Sequence, residues 1–345
     1  MKTHYFSAVK ALAVVSVAFL SFSCDKKEPQ SPEIEKLSEV ETAQITNPVA
    51  TYGQLKVNGN RITDQQNNPV QLRGMSLFWS QWMGQFYNAQ AVQWLKEDFH
   101  STVVRAAMGV ESGGYLENPE QEKAKVIAVV DAAIAQGLYV IIDWHDHNAQ
   151  NHTEQAKAFF SEMAQKYGDK PNVIYEIFNE PLDVSWTNVI KPYSEAVIAE
   201  IRRHDPDNII VCGTPFWSQK VNEAANDPIT SSANIAYTLH YYAASHKQDL
   251  RNVAAQALGR NIALMVTEMG TCEASGNGYL DEAESRAWWS FLDENKISWC
   301  NWSVADKEET AAALKPGAAG TGGWTEDALT PSGVLVRNEL RAKNP

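Results

Sequence analysis

The chain has 345 residues, 44 % hydrophobic and 21 % charged, with 11 Trp and a formal net charge of -13. That composition excludes a wholly disordered chain and gives enough length for one large α/β domain or two smaller ones. The acidic balance argues against nucleic acid or an anionic membrane surface as partner, because phosphate contacts need clustered Lys and Arg.

At the start, Met1-Lys2-Thr3-His4 and Lys10 precede an apolar stretch from Ala11 to Leu20, then Ser21-Phe22-Ser23-Cys24. This reads as an export signal, since the apolar stretch is too short to span a bilayer comfortably. Ser23-Cys24 resembles a bacterial lipoprotein cleavage site, with Ser21 where an aliphatic residue is usual. Residues 1–24 are therefore expected to be a lipoprotein-type signal with Cys24 as the lipidated residue. The protein would then be anchored at the bacterial cell envelope or surface, with ordinary secretion as the alternative. Residues 25–48 are rich in Glu, Lys, Pro, Ser and Gln and cannot bury enough apolar surface to order, so a solvated tether is expected. Residues 54–62 alternate around an Asn-Gly turn and Asn67-Asn68-Pro69 marks another, which predicts a small hairpin able to plug one end of a barrel.

Eight apolar runs follow, at 71–77, 102–108, 139–145, 173–180, 209–214, 235–242, 263–270 and 297–304. Between them, segments such as Glu120 to Gln136 and Thr153 to Tyr167 carry apolar residues at helical spacing. Strand then helix, eight times, predicts a (β/α)8 barrel over residues 49–345 behind the N-terminal hairpin. A doubly wound sheet is the alternative, but it gives no reason for polar residues at so many strand ends. Cys212, Cys272 and Cys300 remain in the body, an odd number without zinc spacing, so buried free thiols are expected.

Active sites of such barrels lie at the C-terminal ends of the strands. Those ends carry Trp82, Arg105, His145, Asn179 and Glu180, His240 and Tyr242, Glu268, and Trp302 in chain order. One glutamate alone would read as a salt-bridged strand terminus. Two on one rim suggest an acid and a nucleophile, because losing water there shifts their proton affinity. Trp beside the strand ends suits the C–H faces of sugar rings, although most of the eleven serve as core filler.

Asn179-Glu180-Pro181, Gly74-Met75-Ser76, Val104-Arg105, Asp143-Trp144-His145, Leu239 to Tyr242, Val266-Thr267-Glu268 and Trp299 to Lys307 occur in this order. Together they closely resemble glycoside hydrolase family 5, and its bacterial endo-β-1,4-glucanases in particular, from about Gln54 to Arg341. Further matches are Trp217 in Phe216-Trp217-Ser218-Gln219, Ala313 to Gly317 and Thr321 to Trp324. The resemblance implies a retaining endo-β-1,4-glucanase acting on cellulose and related β-glucans, with Glu180 as acid/base and Glu268 as nucleophile. A retaining pair needs carboxyl groups about 5 Å apart, one protonated and one ionised. Arg105 and Tyr242 would hold Glu268 ionised, and the charge of Glu268 would keep a proton on Glu180. Asn179 would donate to the sugar 2-hydroxyl, and His145 and His240 would bind substrate or the glutamates. Trp82, Trp217 and Trp302 would stack on sugars, while Lys307 and Glu309 would reach a glucose on the non-reducing side.

Without the resemblance, Arg105 reads equally as a core-edge ion pair and Tyr242 as half-buried filler. Likewise Lys307-Glu308-Glu309 reads as a solvated charge run. His145-Asp146-His147 invites a metal, but alternate side chains of a strand point to opposite faces and no third His or Cys completes a set. No cofactor or metal and a monomer are expected. One position departs from the family pattern, Phe78, where a His is frequent. Competing functions are a mannanase or xylanase on the same scaffold, or a surface glycan-binding protein that has lost the reaction.

Overall fold

The computed structural model describes residues 47–344. The signal-like stretch, Cys24 and the tether to residue 46 lie outside the described residues. Asn47 and Pro48, which the sequence reading put in the tether, belong to the folded body. The Asn47 side chain accepts from the Ala50 amide at 2.8 Å and caps the short helix Pro48–Tyr52.

Strands β1 (Lys56–Asn58) and β2 (Arg61–Thr63) form the expected antiparallel hairpin, Asn58 pairing with Arg61. The turn residues are Gly59 and Asn60, with Gly59 at φ +61°, where a side chain is disfavoured. Eight parallel strands then close a barrel: β3 (Arg73–Leu77), β4 (Val103–Gly109), β5 (Tyr139–His145), β6 (Val173–Glu176), β7 (Ile210–Cys212), β8 (Ile235–Tyr242), β9 (Ala263–Gly270) and β10 (Trp299–Val304). Helices such as Pro119–Gln136, Thr153–Tyr167 and Glu282–Asn295 lie between them and bury Val126, Phe159, Trp288 and their neighbours in the main apolar cluster.

Alternation along the strands sorts the barrel interior into levels. Val103, Tyr139, Ile141, Ile174 and Met265 fill the N-terminal end, where Leu55, Ile62, Val70 and Leu72 from the hairpin region join the same apolar cluster. One step further along, the same inward rows present Arg105, Asp143, Glu176 and Thr267, all fully buried. The rim carries His145, His240, Tyr242 and Trp302.

One strand boundary differs from expectation, and one strand carries an irregularity, in a way that matters for the site. β6 stops at Glu176, four residues before Glu180, so Asn179 and Glu180 sit on the segment beyond the strand. That segment still bonds to its neighbour, through Asn179 N to Trp144 O at 3.2 Å, but Pro181 follows and ends any ladder. In β9 the register slips against both neighbours: Thr238 and His240 of β8 face Met265 and Glu268, and Trp299 and Asn301 of β10 face Val266 and Met269. Both slips place one extra residue in β9 near Thr267 and Glu268, a β-bulge. Strict alternation would send one of these two side chains outward; the bulge lets both reach the interior.

Candidate active site

Arg105 is the hub, fully buried halfway up the barrel. Its Nε and Nη2 donate to Glu176 at 2.7 and 3.1 Å, Nη2 also to Asn179 Oδ1 at 2.6 Å, and Nη1 to Glu268 Oε2 at 3.3 Å. Asp143 lies 2.9 Å from Nη2. A planar guanidinium fork with several fixed donors suits this position as a lysine ammonium would not. Because Asn179 gives its carbonyl to Arg105, its amide nitrogen is left over, buried and without a partner.

Glu268 is held from its other side by the Tyr242 hydroxyl, which donates to Oε1 at 2.8 Å. Gly270 makes this approach feasible, since a Cβ there would stand 2.3 Å from the Tyr242 ring. Burial and the charge of Glu180 raise the Glu268 carboxyl above its ordinary value, while His240, Arg105 and the Tyr242 bond pull it back down. The Glu268 side chain is the more buried of the two, 6 % exposed against 14 % for Glu180. Burial and nearby negative charge push the Tyr242 phenol well up, so it remains a donor.

His240 joins the two glutamates' surroundings. Its Nδ1 lies 2.9 Å from Glu180 Oε1 and its Nε2 2.9 Å from Thr267 Oγ1. The Thr267 hydroxyl donates to Glu176 at 2.6 Å, so it must accept from Nε2, which therefore carries a hydrogen. Burial works against the imidazolium, but the carboxylates Glu176 and Glu180 outweigh it and lift His240 to about 9. One oxygen of Glu180, one of Glu268 and a His240 nitrogen all fall within 4.8 Å of one another. That spacing matches a retaining pair, whose carboxyl groups stand roughly 5–5.5 Å apart, rather than the wider gap that admits a water.

His145 touches neither glutamate. Its Nδ1 donates to Asp143 at 2.7 Å, and burial drives it well below the ordinary imidazole range, leaving a neutral ring. The ring stacks on Trp302 at 5.1 Å and meets the Trp79 face edge-on at 4.1 Å. Trp302 is only 5 % exposed and forms a floor, whereas Trp82, 55 % exposed, leans on the Trp79 ring at 5.0 Å. Phe78 packs against Trp302 at 5.1 Å and lies under the Lys307 ammonium at 4.8 Å. Lys307 pairs with Glu309 at 2.6 Å, which brings both residues to that side of the cleft. On the other side, a cavity of about 380 Å³ is lined by Glu180, Trp217, His240, Tyr242 and Glu268 together with Phe216 and His246.

Residues 63–308 match the family model described as cellulase, glycosyl hydrolase family 5. The chain belongs to glycosyl hydrolase family 5. Endoglucanase Z of Dickeya dadantii is 52 % identical over 301 residues, covering 86 % of this chain and 68 % of that one. An endoglucanase of Clostridium saccharobutylicum is 47 % identical over 298 residues, covering 85 % and 66 %, so the chain spans about two thirds of the length of both. A solved catalytic domain of Thermobifida fusca endoglucanase, in complex with cellotetraose, is 36 % identical, with a TM-score of 0.82 and coverage of 86 % of this chain and 99 % of that one.

Within this family 5 barrel, the structure sets His145, His240, Tyr242 and Trp302 at the rim, places Arg105 mid-strand in the level beneath them rather than at a strand end, and adds other residues to that level. Glu176 lies inside an apolar run whose end alone carries a candidate, and Asp143 enters the sequence analysis only within the Asp143-Trp144-His145 motif, without a role. A charged residue in the middle of a buried strand was the available signal. Phe216, Trp217 and Ser218 were legible only as a stretch containing one candidate. All three have positive φ, at 59°, 53° and 56°. Such left-handed backbone costs roughly 1–3 kcal/mol per non-Gly residue and persists where the surroundings force it. Here Phe216 N donates to Leu182 O at 3.1 Å, Trp217 N to Pro181 O at 2.8 Å, and the Ser218 hydroxyl to Asn179 O at 2.9 Å.

Proposed function

We infer that this chain is a retaining endo-β-1,4-glucanase that cleaves internal bonds of cellulose and related β-glucans. The observation that carries the reading is the close approach of Glu180 and Glu268 at the floor of the cleft, each with its own fixed partners. Glu268 attacks the anomeric carbon, the bond to the leaving chain breaks, and the departing oxygen takes the proton from Glu180. A glycosyl ester to Glu268 results. Water, giving its proton to Glu180, then releases the sugar with its original configuration. The spare Asn179 amide is the donor placed for the 2-hydroxyl, a contact that strengthens in the transition state. Neutral His145, its Nδ1 committed to Asp143, offers Nε2 as an acceptor for a sugar hydroxyl. The endoglucanase names of the relatives and the cellotetraose held by the Thermobifida fusca enzyme support a β-1,4-glucan as substrate.

Reducing-end release with viscosity loss on carboxymethyl-cellulose tests this, wild type beside Glu268→Ala. The expected outcome is a steep viscosity drop in the wild type alone. Release from mannan or xylan but not from this substrate would keep the mechanism and overturn the substrate; silence on all three would overturn both. We further propose export and lipid anchoring at Cys24, supported by the signal-like sequence before it. Mass analysis of the mature N-terminus should show an acylated Cys24, and Cys24→Ser should release the enzyme to the medium.

A further inference from the structure

Glu122 is a buried carboxylate that the chemistry at the rim does not use. It stands in the first turn of the helix Pro119–Gln136, outside the barrel, where an acidic side chain favours the helix dipole without any need for burial. Glu120, in the same turn, has a side chain 86 % exposed, whereas Glu122 is 1 % exposed. Burying a carboxylate costs free energy unless its oxygens are matched, so its partners show what it holds. Its Oε2 accepts the Ser80 hydroxyl, and its Oε1 accepts from the Lys125 ammonium at 2.6 Å. Lys125 donates in turn to Ser80 O at 3.0 Å, and its stem lies against Gly84, where a Cβ would stand 3.0 Å from Lys125 Cε. On its other side Ser80 is tied to β4: its amide donates to Ala107 O at 3.1 Å, and its hydroxyl accepts from Gly109 N at 3.0 Å.

Ser80 lies on the segment between β3 and the next helix, which carries the aromatic wall of the cleft. Ring contacts run from Trp302 through Phe78 at 5.1 Å to Trp82 at 6.4 Å, and from His145 through Trp79 to Trp82. Trp82 N donates to Trp79 O at 3.1 Å, which closes a turn around Ser80. The Tyr87 hydroxyl holds the Phe78 carbonyl at 2.7 Å, so one end of the wall has its own anchor and the turn that presents Trp82 depends on Ser80. We propose that Glu122 is a positioning residue for the glucan: acting through Ser80, it fixes the turn from Trp79 to Trp82 and thereby the orientation of the exposed Trp82 ring toward the substrate. The inference rests on the glucanase reading above. Glu122 touches neither reacting glutamate, so its effect falls on substrate binding rather than on the chemical step.

A double-mutant cycle on cellopentaose tests this. Glu122→Ala should raise KM about fivefold with kcat within about twofold of wild type, the size expected when one aromatic contact is misplaced. Trp82→Ala should raise KM by about as much, and the double variant should show no further rise beyond Trp82→Ala alone. Glu122→Gln keeps a carbonyl that accepts the Ser80 hydroxyl while losing the charge paired with Lys125, and it should return KM to within about twofold of wild type. Should Glu122→Ala fail to fold, Ser80→Ala carries the same cycle, with a KM rise that again vanishes in the Trp82→Ala background. A wild type active on cellopentaose whose KM is unmoved by the Glu122 or Ser80 variants, or effects that multiply to about 25-fold in the double variant, would overturn the proposal and keep the glucanase reading. A wild type inactive on cellopentaose and on carboxymethyl-cellulose would overturn both.

Discussion

The two ends of this barrel are built from the same strands and opposite chemistry. At the N-terminal end, the side chains of Leu55, Ile62, Val70 and Leu72 close the interior in an apolar cluster. Two residues further along the same inward rows, Val103 gives way to Arg105, Ile141 to Asp143 and Ile174 to Glu176. Apolar burial at one end stabilises the fold outright, at about 25 cal/mol per Å². Burying a guanidinium among carboxylates at the other costs several kcal/mol per ion in lost hydration, which mutual attraction offsets only in near-ideal geometry. The charged level earns its place through position: it fixes Glu268 and Asn179 and sets the proton on His240. Stability and chemistry are thus separated along the barrel axis by one turn of alternation.

The sharpest way to break that contrast is to remove the reacting groups. Glu268→Ala or Glu180→Ala should lower kcat on unactivated glucan by on the order of 10⁴-fold or more while the melting temperature stays within a few degrees. The Glu180 variant should recover much of its rate of bond cleavage on a dinitrophenyl cellobioside, whose leaving group needs no acid. Equal loss on both substrates would contradict the acid assignment. Next in size is Arg105→Met, which strands Glu176 and Asp143 in the core. It should destabilise the fold by about 3–5 kcal/mol in urea titrations and abolish activity, since both ends of the contrast depend on that pairing. Leu72→Ala, at the plug, should cost a comparable or smaller 2–5 kcal/mol, approximately, in stability yet leave kcat within about twofold. A large fall in kcat there would mean that the two ends are coupled.

Much of this arrangement was legible in the chain. Eight apolar runs with helices between them, ending in polar residues, favour a barrel over a doubly wound sheet, and a barrel determines which end carries chemistry, so Glu180, Glu268, Arg105 and His240 could be found from spacing and family motifs. Three features were not legible, each for a physical reason. The β9 bulge depends on pairing with two neighbouring strands, and a single sequence carries no register. The segment Ile177 to Glu180 has the composition of a strand, but its ladder is cut short by the short β7 and by Pro181. The role of Asp143 and Glu176 depends on what faces them across the barrel, since a buried carboxylate is intelligible only with its cation. The upward shift of Glu268 likewise reflects burial, which the sequence reading weighed less than the Arg105 charge.

The smallest predicted effect tests the relay that links the two levels. Thr267, turned inward at the bulge, accepts from His240 Nε2 and donates to Glu176. Thr267→Val keeps the shape and removes both bonds. His240 then loses an acceptor for its protonated form, so its folded pKa of about 9 should fall. A shift of about one pH unit corresponds to about 1.4 kcal/mol. In the wild type, the alkaline limb of kcat/KM should lie near 9, where His240 loses its proton; the acid limb follows protonation of Glu268, which burial raises above its ordinary value. Thr267→Val should move the alkaline limb toward neutrality and leave the acid limb nearly in place. The same sign governs stability. A raised histidine contributes stability that is full below its unfolded value of about 6.5 and is lost as pH rises through about 9. The variant should therefore be destabilised relative to wild type most at neutral pH and less above 9, a pattern that a simple packing defect at this position would not produce.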